Sequence, residues 1–459
     1  MMVQPTDIDV WIADHVVTMN PGHEILSPGA VAVGGQRILA VGSPEEVVAG
    51  AGGSARMRRL DDRVLMPGLV NALHHSGMLR GTAEHLPVWE WLRLHIDPMH
   101  RVLAPEDAEA AAWMCYAEGL LSGTTTVVDM WRYMDGAARA AAELGNRLVA
   151  VNYVGTAPGY DYFDSLDDNE RILTEWSGAA GGRIVPWVGL EHPFYADAAG
   201  MRRAVAMARD FGTGFYTHCS EGRDEVAEFD ARYGAKPLFA LEKLGVLDLP
   251  RVMLAHAVWL DDDEIELAAE RGVSVSHNPV SNMKLASGMA PVDEFLSAGM
   301  NVGLGTDGEK ENNNLDMFEE MKAASLLGKL RTMDAAAMDS WTVLEMATIG
   351  GARALGLADE IGSLEAGKQA DFIAVDTRTP LISDGPYANI HHNLVHAVRG
   401  SDVTTSVIAG QVVVENGRLV NADLDELIGR VRDLVPDLFR RRSDYLAAAE
   451  TLPGAVSAL

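Results

Sequence analysis

Histidines and carboxylates close five apolar, strand-length runs of this sequence. The runs MPGLVNALHH, IVPWVGLEH, GFYTHCSE, RVMLAH and NVGLGTD deliver His74 with His75, Glu191 with His192, His218 with Glu221, His256, and Asp307. One such histidine is usually a packed or hydrogen-bonded residue, but five runs that end alike indicate a shared site. Imidazole nitrogens and carboxylate oxygens are ligands of Zn²⁺, Fe²⁺, Co²⁺ and Mn²⁺, and a catalytic metal keeps one position for water. The pattern therefore predicts a hydrolytic metal site.

The carboxylates among these residues are placed for proton transfer. A bound metal lowers the pKa of water toward neutrality and so supplies hydroxide. Asp307 could take a proton from that water while touching the metal, and Glu221, three residues after His218, could pass a proton to a leaving group. Alternatively, Glu221 caps the helix that follows. In the loop SHNPVSN, His277 and Asn282 are candidate substrate contacts, although such a polar loop could equally be a turn.

The elements that must position these residues alternate along the chain. From about Val64 to Arg331, apolar runs of strand length are followed by helical stretches such as PEDAEAAAWMCYAEGLL and AGMRRAVAMARDFG. This pattern is typical of parallel strands covered by helices, and about eight such strands predict a closed (β/α)₈ TIM-type barrel of the α/β class. Polar residues at the carboxyl ends of barrel strands are where active sites lie. A doubly wound open sheet is the structural alternative.

Both ends of the chain are rich in short strand patterns. VWIADHVVTM, AVAVGG and RILAVG precede the alternating region, and DFIAVD, TSVIAG and QVVVENG follow it. We expect these ends to pair into one small β-sandwich outside the barrel. The predicted domains are residues 1–63 and 366–425 for the two parts of the sandwich, 64–365 for the barrel, and 426–459 for a helical tail.

Composition narrows the class of protein and of ligand. Lys and Arg number 37 against 66 Asp and Glu, so the formal net charge is 37 − 66 = −29. Such a surface repels phosphate backbones and anionic lipids, which speaks against nucleic-acid and membrane partners and favours a small neutral or cationic substrate. Acidity that merely maintains solubility is the alternative.

The cysteine content, the apolar runs and the first residues of the chain bear on its cellular location. Its only cysteines are Cys115 and Cys219, which argues against a disulfide scaffold, and no run of about 18 uncharged apolar residues occurs. The first residues have no basic region followed by an apolar stretch. We expect a cytoplasmic homo-oligomer of undetermined size.

Several longer motifs together resemble one family. They are MPGLVNA, EGLLSGTTTVVDM, HCSEGRDEV, LAHAVWL, SHNPVSNMKLASG, GLGTDGEKENNNLDMFEEM and IGSLEAGKQADFIAVD. Across nearly the whole chain the sequence resembles the amidohydrolase superfamily, in the branch that contains triazine chlorohydrolases and heterocycle deaminases. The resemblance implies a (β/α)₈ barrel, a composite β-sandwich from the two chain ends, and one divalent metal ion per chain, with zinc favoured over iron, cobalt or manganese.

The resemblance also implies a ligand set. In that branch the metal is held by an HxH motif after the first strand, a histidine after the fifth and an aspartate after the eighth. By position these ligands are His75, His218 and Asp307, while His256 lies near the metal water and the substrate. Glu221 matches the family's proton shuttle.

The first residue of HxH departs from the family pattern. Leu73 stands where the first histidine belongs, and His74 occupies the spacer position. Since neighbouring strand residues face opposite ways, His74 is expected to point away if Leu73 and His75 face the metal. Three compensations are open: a bulge brings His74 round, His256 becomes a ligand, or Glu191 supplies one. We favour His256.

The same departure makes the sequence similar to the phenylurea and thiocarbamate hydrolases, in which that position is not histidine either. Leu73 is not their residue, but the similarity favours cleavage of an amide, urea or carbamate C–N bond. Aromatic residues near strand ends predict a hydrophobic small-molecule substrate, as in xenobiotic degradation. With His192, His277 and Asn282, the candidate substrate contacts are Trp89, Trp91 and Trp259.

Two alternative functions stay open at this point. The first is hydrolytic deamination or dechlorination of an aromatic heterocycle, which the broader family favours. The second is a catalytically inactive binding protein, which the loss of a histidine at Leu73 would explain.

Overall fold

A computed structural model describes residues 8–450 except 83, 161, 381 and 383–388. The predicted domains extend to residues 1 and 459, and their outermost segments, 1–7 and 451–459, lie outside the described residues.

Strands from both ends of the chain form one nine-stranded sheet. Strands β5 and β14 join the two ends as antiparallel neighbours, with Met66 opposite Ile373. The predicted composite β domain is therefore confirmed. Its strands are β1 Ile8–Val17, β2 Ile25–Leu26, β3 Gly29–Gly34, β4 Arg37–Gly42 and β5 Arg56–Pro67, and then β14 Phe372–Asp376, β15 Val403–Ile408, β16 Gln411–Glu415 and β17 Arg418–Leu419.

Between these ends, eight parallel strands follow one another in the order of the sequence. They are β6 Leu69–His74, β7 Thr124–Trp131, β8 Arg147–Asn152, β9 Ile184–Gly189, β10 Phe215–Cys219, β11 Val252–His256, β12 Ser274–His277 and β13 Val302–Leu304. Each pairs with the next, and almost every residue in them is buried because helices cover the outside. The predicted (β/α)₈ barrel is confirmed.

Helices alternate with the barrel strands. Several begin at side chains that accept a hydrogen bond from a free backbone N–H, such as Ser165, Asp197 and Asp261. The helices from β6 to β13 are Val88–Trp91, Asp97–Val102, Pro105–Leu121, Met134–Leu144, Leu166–Trp176, Ala179–Gly182, Ala198–Phe211, Glu225–Tyr233, Pro237–Lys243, Asp262–Glu270, Pro279–Lys284 and Val292–Ser297.

Further helices lie outside this region. They are Pro44–Ala51 before the barrel, Glu309–Asn312, Met317–Thr332, Ser340–Glu345, Gly351–Ala354 and Ile390–His396 after β13, and the long Leu424–Glu450 at the end of the described chain. Two π-helical turns, Leu92–Ile96 and Met346–Gly350, interrupt the series. Within the described ranges, no helix is both long enough and apolar enough to cross a membrane.

A buried ion pair joins the barrel to the end sheet. Arg147, the first residue of β8, pairs with Asp371, which directly precedes β14, and both side chains are at least nine-tenths buried. Asp371 also accepts a hydrogen bond from Ala409 N at 2.7 Å. This carboxylate therefore ties a barrel strand and two segments of the sheet together.

Replacement of Asp371 by Asn should destabilise the protein by about 3 kcal/mol, because it leaves the buried Arg147 charge without a counter-charge. Urea unfolding followed by circular dichroism measures this. The control is Glu175→Gln, which removes the exposed ion pair with Arg171 and should cost less than about 0.5 kcal/mol. An unchanged urea midpoint for Asp371→Asn would show that the pair does not hold the two parts together.

Candidate active site

The first and last barrel strands bring His75 and Asp307 to the same end of the barrel. His75 follows directly on β6, and Asp307 lies three residues beyond the end of β13. The backbone N–H of Asp307 donates to Leu73 O at 3.0 Å, and Thr306 N donates to Asn71 Oδ1 at 3.0 Å. These bonds join the two strands and fix the side chains that follow them.

The backbone is strained at several positions around this end of the barrel. Ser220, His256 and Asp307 have φ angles of 55°, 69° and 60°, in the left-handed region that residues other than glycine rarely adopt. Each such position costs on the order of 1 kcal/mol or more, and strain of this kind concentrates at active sites. The surrounding barrel supports these conformations.

His75 and His218 face each other through their Nε2 atoms, which are 3.1 Å apart. The Nδ1 atom of His75 lies 2.7 Å from Met130 O, and that of His218 lies 2.6 Å from Glu191 O. Because a carbonyl oxygen only accepts, both rings carry their proton on Nδ1. Burial lowers the pKa of His218 to about 4 and that of His75 well below its ordinary value, so neither ring carries a second proton at neutral pH. Two lone pairs therefore point at each other.

Asp307 adds a carboxylate to these two lone pairs, since its Oδ1 lies 3.5 Å from His75 Nε2. Burial alone raises the pKa of Asp307, but His256 and the hydrogen bond that Ser281 Oγ donates to Oδ2 outweigh it and bring the pKa down to about 2. Three acceptors without a proton between them repel one another unless a cation lies among them. The chemistry of this donor set fits a divalent metal.

The three donors form an open cluster and not a finished metal shell. Over residues 8–450, leaving aside the undescribed positions, no group of three or more His, Cys, Asp or Glu side chains already surrounds a single point as metal ligands do. His75, His218 and Asp307 are the residues that would hold the metal.

The structure places His74 away from this cluster. Strand β6 does contain an irregularity between Asn71 and His74, which fits the bulge considered from the sequence. Even so, His74 Nδ1 lies 3.4 Å from Asp307 O and its Nε2 lies 3.3 Å from Ser76 Oγ, with the ring beside Tyr116. The bulge does not bring His74 round.

His256 stands between the two carboxylates that were predicted to move protons. Its Nε2 lies 3.7 Å from Glu221 Oε2 and 3.7 Å from Asp307 Oδ2. Although burial lowers it, these two carboxylates raise the pKa of His256 above its ordinary value. Burial also raises the pKa of Glu221 to about 7, against the opposing pull of His256. A carboxyl group with this pKa can both give and take a proton near neutral pH.

Glu225 occupies the structural role that was considered for Glu221. Its carboxylate accepts hydrogen bonds from the backbone N–H groups of Ser220, Glu221 and Gly222 at 2.7 to 2.9 Å. The Glu221 carboxylate instead accepts a hydrogen bond from Ser287 Oγ at 2.9 Å. Glu221 is therefore not needed to cap the helix. An acidic residue in the first turn of that helix was the available signal for Glu225.

Two adjoining cavities open beside the cluster. The inner one, here called the reaction chamber, has a volume of about 30 Å³ and is lined by His75, His218, Glu221, His256 and Asp307 among others. The second, the outer pocket, has a volume of about 510 Å³ and shares part of its wall with the chamber. The chamber holds little more than water, whereas the outer pocket is large enough for a small organic molecule.

Three of the predicted substrate contacts line the reaction chamber: Trp89, Trp91 and His192. Both ring nitrogens of His192 are engaged, because Nδ1 accepts a hydrogen bond from Phe194 N at 3.1 Å and Nε2 lies 3.1 Å from Glu225. His192 is therefore part of the chamber wall, held in a fixed orientation.

The other three lie behind the chamber lining that the described residues form. Asn282 Oδ1 is 2.9 Å from His256 Nδ1 and so orients that ring. Trp259 Nε1 donates to Ser287 O at 2.8 Å, next to the hydroxyl that holds Glu221. Burial lowers the pKa of His277 to about 3, and its neutral ring is packed at the end of β12. Direct substrate contact by these residues stays a prediction.

Sequence reasoning missed the charged turn that follows Asp307. Glu309, Lys310 and Glu311 are all at least nine-tenths buried, and Lys310 and Glu311 line the reaction chamber. Lys310 Nζ lies 3.1 Å from Glu311 Oε1. The available signal was three consecutive charged residues, EKE, inside the motif GLGTDGEKENNNLD.

The family is shown by comparison with known proteins. The model of the amidohydrolase family matches residues 64–413, and the chain belongs to this family. It is a metal-dependent hydrolase that acts on carbon–nitrogen bonds other than peptide bonds. The alternative of an inactive binding protein is not supported.

Individual relatives place the chain more closely. It is 39% identical over 422 residues to a 5-methylthioadenosine/S-adenosylhomocysteine deaminase of Pelotomaculum thermopropionicum, which covers 91% of this chain and 95% of the relative. An adenosine deaminase from Xanthomonas campestris with bound zinc is 33% identical, with a TM-score of 0.87 over 94% of this chain and 98% of that one.

A third comparison confirms the triazine branch of the predicted resemblance. An atrazine chlorohydrolase variant from Arthrobacter aurescens, in complex with zinc and atraton, is 25% identical. Its TM-score is 0.83, and the match covers 93% of this chain and 100% of that one.

Because His74 and His75 point in different directions, replacing each in turn tests which of them binds the metal. His75→Gln should lower zinc affinity by at least about tenfold, since it removes a predicted ligand and loss of even a residue that only orients a ligand commonly costs tenfold or more in affinity. His74→Gln, the matched control, should leave zinc affinity within about twofold. Equilibrium competition with a chromophoric chelator measures both. Equal losses in the two variants would mean that His74 is also a ligand.

Proposed function

We propose that this chain is a hydrolytic deaminase of an adenosine-type nucleoside and that it binds one zinc ion per chain. In this reaction water adds to the ring carbon that bears the amino group, that carbon becomes a carbonyl, and ammonia leaves. The observation that carries the proposal is the reaction chamber, where Glu221, His256 and Asp307 surround a volume of about 30 Å³. The names of the two most similar proteins described above support the same chemistry.

This proposal reverses the order that the sequence alone favoured. There, Leu73 and the aromatic residues favoured an amide, urea or carbamate bond in a hydrophobic xenobiotic, with deamination as the alternative. The relatives favour the alternative, because their names describe release of an amino group from a nucleoside.

The residues of the chamber divide the proton transfers among them. Asp307 accepts a proton from the attacking water, whose pKa a bound divalent metal lowers toward neutrality. His256 lies between Asp307 and Glu221 and stabilises the negative charge that the attacking oxygen carries once it has lost its proton. Glu221 delivers a proton to the departing amino group, so that ammonia leaves as a neutral molecule.

The outer pocket suits the sugar end of a nucleoside and disfavours a phosphate. Its walls carry five carboxyl groups against the two arginines Arg93 and Arg232, and Arg232 is paired with Glu228. Aromatic side chains, among them Trp89 and Tyr195, supply apolar surface. A dianionic phosphate placed there meets a net negative field.

A second function is favoured by Leu73. The family pattern of the deaminases has histidine at this position. The hydrolases of ureas and thiocarbamates, like this chain, have another residue there. Cleavage of an amide-type C–N bond is therefore the second candidate. The two differ in product, because only deamination releases ammonia from an aromatic ring.

A panel of substrates tests the proposal and separates the two functions. The zinc-loaded protein should release ammonia from adenosine, 5′-deoxyadenosine or 5′-methylthioadenosine, and kcat/KM for adenosine 5′-monophosphate should be at least about tenfold lower, equivalent to 1.4 kcal/mol of repulsion. Ammonia release and mass spectrometry measure the products. Amine release from aryl ureas or carbamates, with every nucleoside unchanged, would sink the proposal in favour of the second candidate.

Glu221→Gln should lower kcat/KM for the best nucleoside by at least about 100-fold, because general acid catalysis commonly contributes that much. Zinc content should stay at the wild-type level, since Glu221 is not among the proposed ligands. Metal analysis and steady-state kinetics measure the two effects. A parallel loss of zinc would assign Glu221 a structural or ligating role instead.

Two further proposals concern the ligands of this protein and its assembly and location. We propose a small-molecule substrate as the only ligand class besides the metal, and a cytoplasmic homo-oligomer as the working form. The strongly negative net charge of −29 supports the first of these.

A further inference from the structure

Leu73 leaves the metal cluster one ligand short of the family pattern. Its side chain is fully buried, and its backbone is held by Asp307 N and Asn71. Two histidines and one aspartate then remain to hold the metal. We propose that Glu311 supplies the missing ligand. This inference goes beyond the proposed function, because it concerns how the metal is held and not which substrate reacts.

The three compensations considered from the sequence each meet an obstacle. His74 faces Ser76 and Tyr116, as described above. Glu191 Oε2 is, like an oxygen of Glu311, buried without a hydrogen-bond partner among the described residues. Its Oε1, however, lies 3.9 Å from His218 Nδ1, the nitrogen that already donates to the Glu191 backbone, so this carboxylate stands on the side of the ring away from Nε2.

His256 is held by a hydrogen bond at one ring nitrogen and faces two carboxylates with the other. Nδ1 is held by Asn282, and Nε2 stands at equal distances of 3.7 Å from Glu221 and Asp307. This position suits a group that shares protons with two carboxylates.

Glu311 has an oxygen that nothing else uses. Its Oε2 is buried and, among the described residues, has no hydrogen-bond partner, while the side chain is only 7% exposed. A buried carboxylate oxygen without a partner is costly and therefore calls for a ligand. The side chain lines the same chamber as His75, His218 and Asp307.

Gly308 shows how closely the Glu311 carboxylate approaches Asp307. A Cβ atom on Gly308 would collide with Glu311 Oε2, so the carboxylate lies directly against this glycine. The N–H of the same glycine donates to Asp307 Oδ1 at 2.8 Å. Glu311 Oε2 thus lies against the residue that directly follows a proposed ligand.

Lys310 holds the other oxygen of Glu311 and cannot ligate a metal itself while it is an ammonium group. Its Nζ lies 3.1 Å from Oε1, which leaves Oε2 free. The chamber walls carry five carboxyl groups and only this one lysine or arginine. Carboxyl groups thus outnumber cationic side chains here, and a divalent cation among them would favour their ionised forms.

The experiment measures zinc affinity in Glu311→Gln by competition with a chromophoric chelator. We expect affinity to fall at least about tenfold, since loss of a ligand costs no less than loss of a ligand's partner. In the Co²⁺-substituted protein, the visible absorption bands should change shape or intensity, because they report the ligands of the ion. Wild-type affinity together with an unchanged Co²⁺ spectrum would overturn the proposal.

Glu309→Gln is the matched control. Glu309 is equally buried and also belongs to the charged turn, but it is not among the described residues that line the chamber. Its Oε1 accepts a hydrogen bond from Leu79 N at 2.9 Å, and its Oε2 lies 3.5 Å from Arg80 Nε. Zinc affinity should stay within about twofold of wild type. A loss equal to that of Glu311→Gln would mean that general negative charge, and not ligation, is responsible, and this outcome also contradicts the proposal.

A rescue variant separates a ligand from a mere neighbour of one. Leu73→His in the Glu311→Gln background restores the family's HxH motif and should return zinc affinity toward wild type. If the double variant folds but does not regain zinc affinity, and if the Co²⁺ spectrum of Glu311→Gln is unchanged, then Glu311 is not a metal ligand. If circular dichroism shows that the double variant is unfolded, the Co²⁺ spectrum of the single variant decides. None of these readouts depends on a substrate, so failure of the nucleoside proposal leaves the outcome unaffected.

Discussion

The closure of the barrel between its first and last strands is the constraint on which the site depends. The hydrogen bonds from Asp307 N to Leu73 O and from Thr306 N to Asn71 Oδ1 set the last strand against the first. They place an aspartate from one end of the barrel sequence within 3.5 Å of a histidine from the other, although 232 positions (307 − 75) separate them along the chain. The strands that carry His218 and His256 then need only end at the same level of the barrel as His75 and Asp307. The charge pattern of the site, with the neutral imidazoles of His75 and His218 beside an ionised aspartate, follows from this placement and from burial.

Much of the fold could be predicted from the sequence because its signals are local. Apolar runs alternating with helical stretches predict parallel strands, and eight of them predict a barrel. The position of functional groups at strand ends follows from the same pattern. The sequence predicts that the two ends of the chain pair, but not that β5 and β14 are the neighbouring strands. The register between distant segments is set by packing and not by either segment alone.

Less of the site could be predicted from the sequence, because the sequence does not fix where the side chains of a turn point or which of two nearby acids binds a given backbone group. The alternation of strand side chains correctly predicts that His74 faces away, even though a bulge interrupts β6. Alternation says nothing about a turn, so the buried positions of Glu309, Lys310 and Glu311 could not be inferred; on composition alone, three adjacent charges are expected at the surface. In the same way Glu225, and not Glu221, binds the loop backbone, a choice made by three-dimensional geometry between two acids four residues apart.

The division between a chamber of about 30 Å³ and a pocket of about 510 Å³ has a consequence for how this protein changes over time. The proposed reactive groups of the chamber, among them His218, His256 and Asp307, lie at or just after strand ends, where the barrel itself holds them. The outer pocket is walled by residues between the strands, such as Glu90, Tyr160 and Glu228. Loops accept substitution more readily than barrel strands. Selection for a new compound can therefore act on the pocket while the bond-breaking apparatus stays intact, so that reaction type and substrate range are inherited as separable traits of one chain.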